Sequence, residues 1–374
     1  MEKELRLMKG NEAIAEAAIR AGADGYFGYP ITPQSEIIEY LMEANPYERT
    51  GMVVLQAESE LAAINMVYGG AGCGKKVLTT SSSPGISLMQ EGLTYIAGAE
   101  LPCLVVNVVK GGPGLGTIQP SQSDYFQAVK GGGHGDYHLI VLAPASVQEM
   151  ADFVELGFDL AFKYRNPVMI LSDGAIGQMM EKVWLGPQKE RSKTVPEWAT
   201  TGKPPTRERN IITSLELDPF RQEVFNRKLV AKYNEIKEKE VRYEEINCDD
   251  AEFLLVAYGT CARVCQKSVE LARAQGIKAG LLRPITLFPF PSKRINELAD
   301  KTRMLLTVEM SAGQMVEDVM LAVSGKKPVH FYRLFFSQKA YMFDSFLGAM
   351  PLSKKAKVKL IVALLMAIYV AMLI

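Results

Sequence analysis

GMVVLQAESELAAINMVYGGAGCG, residues 51–74, decides how the rest of the chain reads. Its apolar run at 52–55 predicts a short buried strand. Ser59 stands where an N-cap belongs. Leu61, Ile64, Met66 and Val67 then carry the apolar side chains of a helix that ends at Gly69 and Gly70 and is expected to be buried on most sides. Glu60 falls in the first turn of that helix. An acid there has an ordinary explanation in the helix dipole, worth up to about 1 kcal/mol. That explanation leaves the company unaccounted for, because Glu58 and Glu60 both lie among apolar and small residues. A carboxylate buried there needs a partner, and a cofactor is one candidate.

Outward from this unit the chain alternates strand and helix. Strands are expected at 25–29, 77–80, 103–108, 139–142 and 168–171. Helices are expected at 33–44, opened by Pro33, at 84–97, and from Ser146 to Phe162. Short apolar strands separated by helices predict an α/β fold with a parallel, doubly wound sheet over residues 1–186. Residues 187–250 read as a linker and a charged connecting helix. The stretch 187–210 is polar and carries prolines, and 221–245 sets Val224, Leu229, Tyr233 and Ile236 at helical spacing among charges. A second, smaller α/β domain is expected over 251–332. Its strands fall at 253–258, 278–282, 304–308 and 329–332, and its helices at 262–275, 293–301 and 313–323.

The tail, 333–374, changes character. Lys354, Lys355, Lys357 and Lys359 precede an uncharged apolar run at 360–374, short of the ~20 residues that span a bilayer. A basic-flanked anchor, a packed helix and sequence foreign to the fold are all open readings.

Composition removes several function classes. Lys+Arg and Asp+Glu are both 42, so the formal net charge is zero and nothing points to nucleic acid. Five cysteines, none in a CxxC pair, support neither a zinc site nor an iron–sulfur cluster. Their odd, scattered pattern suits a reducing compartment, and MEKELRLMKG lacks the apolar core of a signal peptide, so a cytoplasmic location is expected.

Among the motifs, GGAGCGK at 69–75 misses the phosphate-binding loop: Lys76 replaces the hydroxyl residue, and the glycines close a helix rather than opening one. GGPGLG at 111–116 lacks dinucleotide-binding spacing. His134 and His138 sit in a glycine-rich run with no third ligand near, which favours loop histidines over a metal site. YPITPQSE at 29–36 is more informative. Two prolines bracket Ile31 and Thr32 at the carboxyl end of a strand, the edge where open parallel sheets bind ligands. Lys110, after the strand 103–108, emerges at the same edge. It is a candidate for an anionic substrate group, with a solvent-facing loop lysine as the alternative.

At these residues the chain resembles a known family. GYPITPQSE, QAESELAAINMVYGGAG, SSSPGISLMQEG, VNVVKGGPGLGTIQPSQSDYFQAVKGGGHGD and NPVMILSDG are similar to the alpha-type subunits of 2-oxoacid:ferredoxin oxidoreductases, nearest the branch acting on 3-methyl-2-oxobutanoate (2-oxoisovalerate). The likeness runs from about Met8 to Tyr332. It implies a pyrimidine-binding thiamine diphosphate domain followed by a domain resembling the transketolase C-terminal domain. It gives Glu60 a partner, the aminopyrimidine nitrogen of thiamine diphosphate, with Pro30 and Ile31 beside the cofactor. Thr32 corresponds to the threonine that faces the substrate. Lys110 falls where relatives often carry an arginine associated with the substrate carboxylate, and lysine keeps the charge without the bidentate fork.

The implied reaction is oxidative decarboxylation of a 2-oxo acid to acyl-coenzyme A with reduction of ferredoxin. No magnesium–diphosphate motif and no cluster-binding cysteine set is present in the sequence. The resemblance therefore implies a beta-type partner with the diphosphate half-site and Mg2+, and an iron–sulfur gamma/delta-type partner. A 2-oxoglutarate enzyme and a non-catalytic assembly subunit of the same fold remain the alternatives.

Overall fold

The computed structural model describes residues 3–334. The chain opens with β1 (Glu4–Lys9), α1 (Gly10–Arg20), β2 (Gly25–Gly28), α2 (Ser35–Glu43), α3 (Pro46–Thr50), β3 (Val53–Gln56), α4 (Glu60–Gly72) and β4 (Val77–Ser81). It continues with α5 (Pro84–Gly98), β5 (Cys103–Val109), α6 (Tyr125–Val129), β6 (Ile140–Leu142), α7 (Val147–Tyr164), β7 (Pro167–Asp173), α8 (Gly174–Gln178) and β8 (Met180–Leu185). After a long irregular stretch come α9 (Pro219–Lys239), β9 (Tyr243–Ile246), β10 (Phe253–Val256), α10 (Gly259–Ala274), β11 (Ala279–Pro284) and β12 (Thr286–Phe288). The last elements are α11 (Ser292–Lys301), β13 (Met304–Glu309), α12 (Met315–Val323) and β14 (Val329–Arg333).

The first sheet has seven strands in the order β12-β6-β7-β5-β4-β2-β3, parallel except for β12. Its central strands β4, β5 and β7 are buried along their whole length and open on apolar runs, with polar residues only toward their carboxyl ends. α7 lies against β5 and β7 with α1 packed on it, while α4 lies against β2 and β4 with α5 packed on it. The chain runs from β2 outward to β3 and then returns to the other side of β2 with β4. That reversal leaves a crevice at the carboxyl ends of the strands, the ordinary ligand position in such sheets. The second sheet orders β14-β13-β10-β11-β9, parallel apart from β9. The expected α/β architecture with a doubly wound first sheet is borne out.

Several local expectations need correction. β3 is an edge strand, not a buried one: Val53 and Leu55 are 43% and 40% exposed, because β3 has only β2 as a neighbour. Likewise α4 is covered on one face only, with Leu61 and Met66 exposed, and it runs on to Gly72. Residues 221–245 are not one helix. α9 stops at Lys239, and Tyr243–Ile246 pairs antiparallel with β11. The helix is not wholly solvated either, since Leu229, Tyr233 and Ile236 face the core. The sequence reading passed over β1 and β8, which form a two-stranded ribbon. It also missed β12, which leaves the second alternation to finish the first sheet beside β6. The tail readings fall on residues outside those described, apart from Arg333 and Leu334.

The two halves are bolted at the end of β7. The Asp173 carboxylate, 2% exposed, accepts from the backbone of Ala175 (3.0 Å) and Ile176 (3.2 Å), capping α8. It also accepts from the Thr260 hydroxyl (2.8 Å) and the Thr260 N–H (3.3 Å) at the start of α10. Burial pushes its pKa up, and these bonds only partly offset that. Asp173→Ala strands four donors at one buried point. The expected loss is about 3–5 kcal/mol, read as a lower midpoint in denaturant unfolding; a midpoint within error of the parent would show that the clamp carries no stability.

Candidate active site

The sequence-selected residues sit at the carboxyl edge of the first sheet, on three junctions: Pro30, Ile31 and Thr32 after β2, Glu60 after β3 and Lys110 after β5. The Tyr29–Gln34 loop follows β2 and is pinned from below. Gln34, fully buried, donates to the Tyr29 carbonyl (3.0 Å) and accepts from the Thr80 hydroxyl (2.5 Å), which also bonds the Tyr26 hydroxyl (2.8 Å). The Asn11 and Gln178 amides donate to the Pro33 carbonyl (2.8 and 3.1 Å). Pro30 and Ile31 are half-buried and Thr32 is exposed on this rigid loop.

Glu60 opens α4, whose N-cap is Ser59, accepting from the Ala62 N–H at 3.2 Å. Glu60 is 6% exposed, and among the described residues its carboxylate has neither a hydrogen bond nor an ion pair. Glu58, by contrast, is exposed and accepts from the Ser59 hydroxyl (2.9 Å). The Glu60 carboxylate lies against the start of α5, where a Cβ placed on Gly85 would come within 2.5 Å of Oε1. The buried Ser81 hydroxyl, which meets the same Gly85 position, also lacks a partner among the described residues.

Lys110 follows β5 and is 8% exposed. Its ammonium donates to the Thr32 carbonyl at 3.1 Å, which joins two of the predicted residues, although through Thr32's backbone rather than its hydroxyl. No carboxylate pairs with Lys110 among the described residues. A buried anion and a buried cation therefore share one sheet edge, each lacking a protein counter-charge. Groups buried without such partners are the kind a ligand can complete.

The turn Ser81–Gly85 links the two. Ser83 has φ +36° and ψ −88°, a backbone region worth roughly 1–3 kcal/mol of strain for a residue with a side chain. It is held there because its N–H donates to Asn107 Oδ1 (3.1 Å) while its hydroxyl receives the Lys110 N–H (3.1 Å) and donates to the Lys110 carbonyl (3.2 Å). The sequence reading did not select Ser83 or Asn107. The available signal was SSSPG, three hydroxyls and a glycine where a buried strand turns into a helix. The histidines do not approach this site: His138 stacks on Phe288 (4.2 Å between centroids), and His134 is exposed. No metal-ligating cluster of His, Cys, Asp or Glu occurs among the described residues.

Residues 16–247 match the family model "Pyruvate flavodoxin/ferredoxin oxidoreductase, thiamine diP-bdg", and residues 251–338 match "Pyruvate:ferredoxin oxidoreductase core domain II". The chain belongs to this family. It is 54% identical over 318 residues to the ketoisovalerate oxidoreductase subunit VorB of Methanothermobacter thermautotrophicus, covering 85% of this chain and 89% of that protein. To the 2-oxoglutarate synthase subunit KorA of Archaeoglobus fulgidus it is 38% identical, over 84% of this chain and 91% of the relative. Its structure is similar to a 2-oxoglutarate:ferredoxin oxidoreductase from Magnetococcus marinus with 2-oxoglutarate, coenzyme A and succinyl-CoA bound (TM-score 0.79, 28% identity). That match covers 89% of this chain but only 63% of the solved chain's length. A split-gene transketolase, at 13% identity and a TM-score of 0.55, shares the fold alone. The family resemblance, the thiamine-diphosphate-type fold and the reading as an oxidoreductase subunit are borne out. The family match runs to residue 338, past the Tyr332 at which the resemblance was taken to stop.

Gly85→Ala tests the close approach. The new methyl meets no backbone atom, only the Ser81 hydroxyl and, at 2.5 Å, Glu60 Oε1, so the long Glu60 side chain is displaced. Turnover of the assembled enzyme is expected to fall about 10²-fold with an unchanged melting temperature. Wild-type turnover would mean that the carboxylate's position is immaterial.

Proposed function

We propose that this chain is the alpha-type subunit of a 2-oxoacid:ferredoxin oxidoreductase that converts a branched-chain 2-oxo acid, 3-methyl-2-oxobutanoate, to acyl-coenzyme A with reduction of ferredoxin. The observation that carries the proposal is the buried, unpartnered Glu60 carboxylate at the reversal point of the sheet. The choice of substrate is supported by the greater likeness to a ketoisovalerate subunit (54% identity) than to a 2-oxoglutarate subunit (38% identity).

Thiamine diphosphate fits the residues present, and when bound it supplies the carbon nucleophile and the electron sink for decarboxylation. Glu60 meets the cofactor's aminopyrimidine ring and holds a proton between its carboxylate and a ring nitrogen. Low dielectric around a group 6% exposed strengthens that bond, and Gly85 leaves room for it. Pro30 and Ile31 would line the place where the cofactor ring is held. The exposed Thr32 hydroxyl faces the substrate. Lys110 spends one N–H on the Thr32 carbonyl and keeps two for the substrate carboxylate.

Partners complete the assembly. A beta-type subunit brings the diphosphate half-site with Mg2+, and an iron–sulfur subunit carries electrons to ferredoxin. Exposed apolar side chains support a covering partner: Val53 and Leu55 on β3, Leu61 on α4 beside Glu60, and Leu88 on α5. A cytoplasmic location is part of the proposal. No helix among the described residues is long and apolar enough to cross a membrane.

The test uses the complex purified with its partner subunits, assayed for coenzyme-A-dependent ferredoxin reduction. Glu60→Gln keeps the shape but removes the titrating oxygen, so kcat is expected to fall ~10²–10⁴-fold. Wild-type kcat would remove Glu60 from the chemistry. Lys110→Ala deletes a charge-assisted bond worth roughly 1.5–3 kcal/mol, which should raise KM for the 2-oxo acid about 10-fold or more. Unchanged KM would end its assignment to the substrate carboxylate.

A further inference from the structure

The turn that faces Glu60 and Lys110 is itself held from across the molecule. Asn107, fully buried, accepts the Ser83 N–H with Oδ1 and donates through Nδ2 to Asp124 Oδ2 at 2.9 Å. Ser83 at positive φ has no reason of its own to stay there, since its side chain disfavours that region. The bonds to Asn107 and the Lys110 backbone hold it, with Asn107 in turn fixed by Asp124.

Asp124 lies in a segment that the second sheet and its helices grip on both sides. Before it, the Gln122 N–H donates to the Met310 carbonyl (2.8 Å), and the Met310 N–H returns to Gln122 Oε1 (3.0 Å). Gln122 Nε2 donates to the Tyr258 carbonyl (2.9 Å). After it, Gln314 accepts the Phe126 N–H (2.8 Å), and its amide donates to the Ser123 carbonyl (2.6 Å). The Tyr125 hydroxyl donates to Asp318 on α12 (2.6 Å). The residues flanking Asp124 are thus fixed to one half of the protein, while its carboxylate reaches into the other.

We infer that Asp124 is a positioning residue, through which the second domain sets the Ser82–Gly85 turn against Glu60 and Lys110. The inference rests on the functional reading of Glu60 and Lys110 given above. Asp124 touches neither of those side chains. It acts through Asn107 and Ser83, whose displacement would shift Gly85 against the Glu60 carboxylate and loosen the Lys110 backbone. Small displacements of reacting groups cost large factors in rate, so the contribution is to turnover more than to substrate affinity. This assigns the second domain a part in the chemistry although none of its side chains bonds Glu60 or Lys110.

The experiment measures kcat, KM and melting temperature in the complex with its partner subunits. Asp124→Ala is expected to lower kcat about 10-fold with a smaller change in KM. Asp124→Asn, which keeps an acceptor for the Asn107 amide, should recover most of that loss. Asn107→Ala should lower kcat similarly, and the Asp124→Ala/Asn107→Ala pair should be no worse than the less active single variant, because both cut one chain of contacts. Multiplicative losses in the pair, or wild-type kcat in both singles, would overturn the inference. If Asp124→Ala fails to assemble, Asn107→Ala decides: wild-type kcat there, or a KM raised as far as kcat falls, overturns the inference, and a lowered kcat with little change in KM sustains it. Glu60→Gln separates the two levels. Full turnover in Glu60→Gln sinks the functional reading itself, whereas an inactive Glu60→Gln beside a fully active Asp124→Ala sinks only the positioning role.

Discussion

A carboxylate taken out of water must find hydrogen bonds or an opposite charge, and among the described residues that demand is met at every buried acid but one. Glu16 is held by Arg20 (2.7 Å) and Arg49 (2.9 Å), which outweigh its burial and keep its pKa below the usual carboxylate range. Glu309 accepts the N–H groups of Gln314, Met315 and Val316 and the Ser311 hydroxyl, closing the start of α12. Glu240 meets Lys163, Tyr164 and Arg242. Asp173 gathers four donors. Among the described residues Glu60 alone lacks such a partner, and that isolation is the ground for proposing that it meets a ligand.

That exception is tolerable because the surroundings are stiff. Gln34 and Thr80 fix the loop after β2, and the serine turn is locked to Asn107 and to the Lys110 backbone. The second sheet grips the segment that follows Lys110 through Gln122, Gln314 and Asp318. β12 adds a further tie by completing the first sheet from within the second alternation. The halves are therefore one mechanical unit around the crevice, and a change at the second sheet is felt where Glu60 sits.

Much of this was legible in the chain because it rests on local chemistry. Apolar runs between helical stretches fixed the parallel strands, Ser59 marked the cap of α4, and the company of Glu60 singled it out. Lys110 and Thr32 were found because each follows a strand, and strand ends share an edge whatever the strand order. What local pattern could not supply was burial and pairing. An apolar run looks alike in the centre and at the margin of a sheet, so β3 read as buried until its single neighbour was known. Tyr243–Ile246 continued a charged helical pattern, and only its pairing with β11 makes it a strand.

By itself the sequence determined the α/β alternation, the family and the acid at the start of α4, because periodicity, capping and long motifs are properties of neighbouring residues. The tertiary structure alone decided that Glu60 lacks a protein partner and that Lys110 bonds the Thr32 carbonyl. It also decided that Ser83, Asn107 and Asp124 form one chain of contacts reaching the second sheet. Those contacts join residues far apart in sequence, and a hydrogen bond between them exists only once the strand order has brought their ends to the same edge.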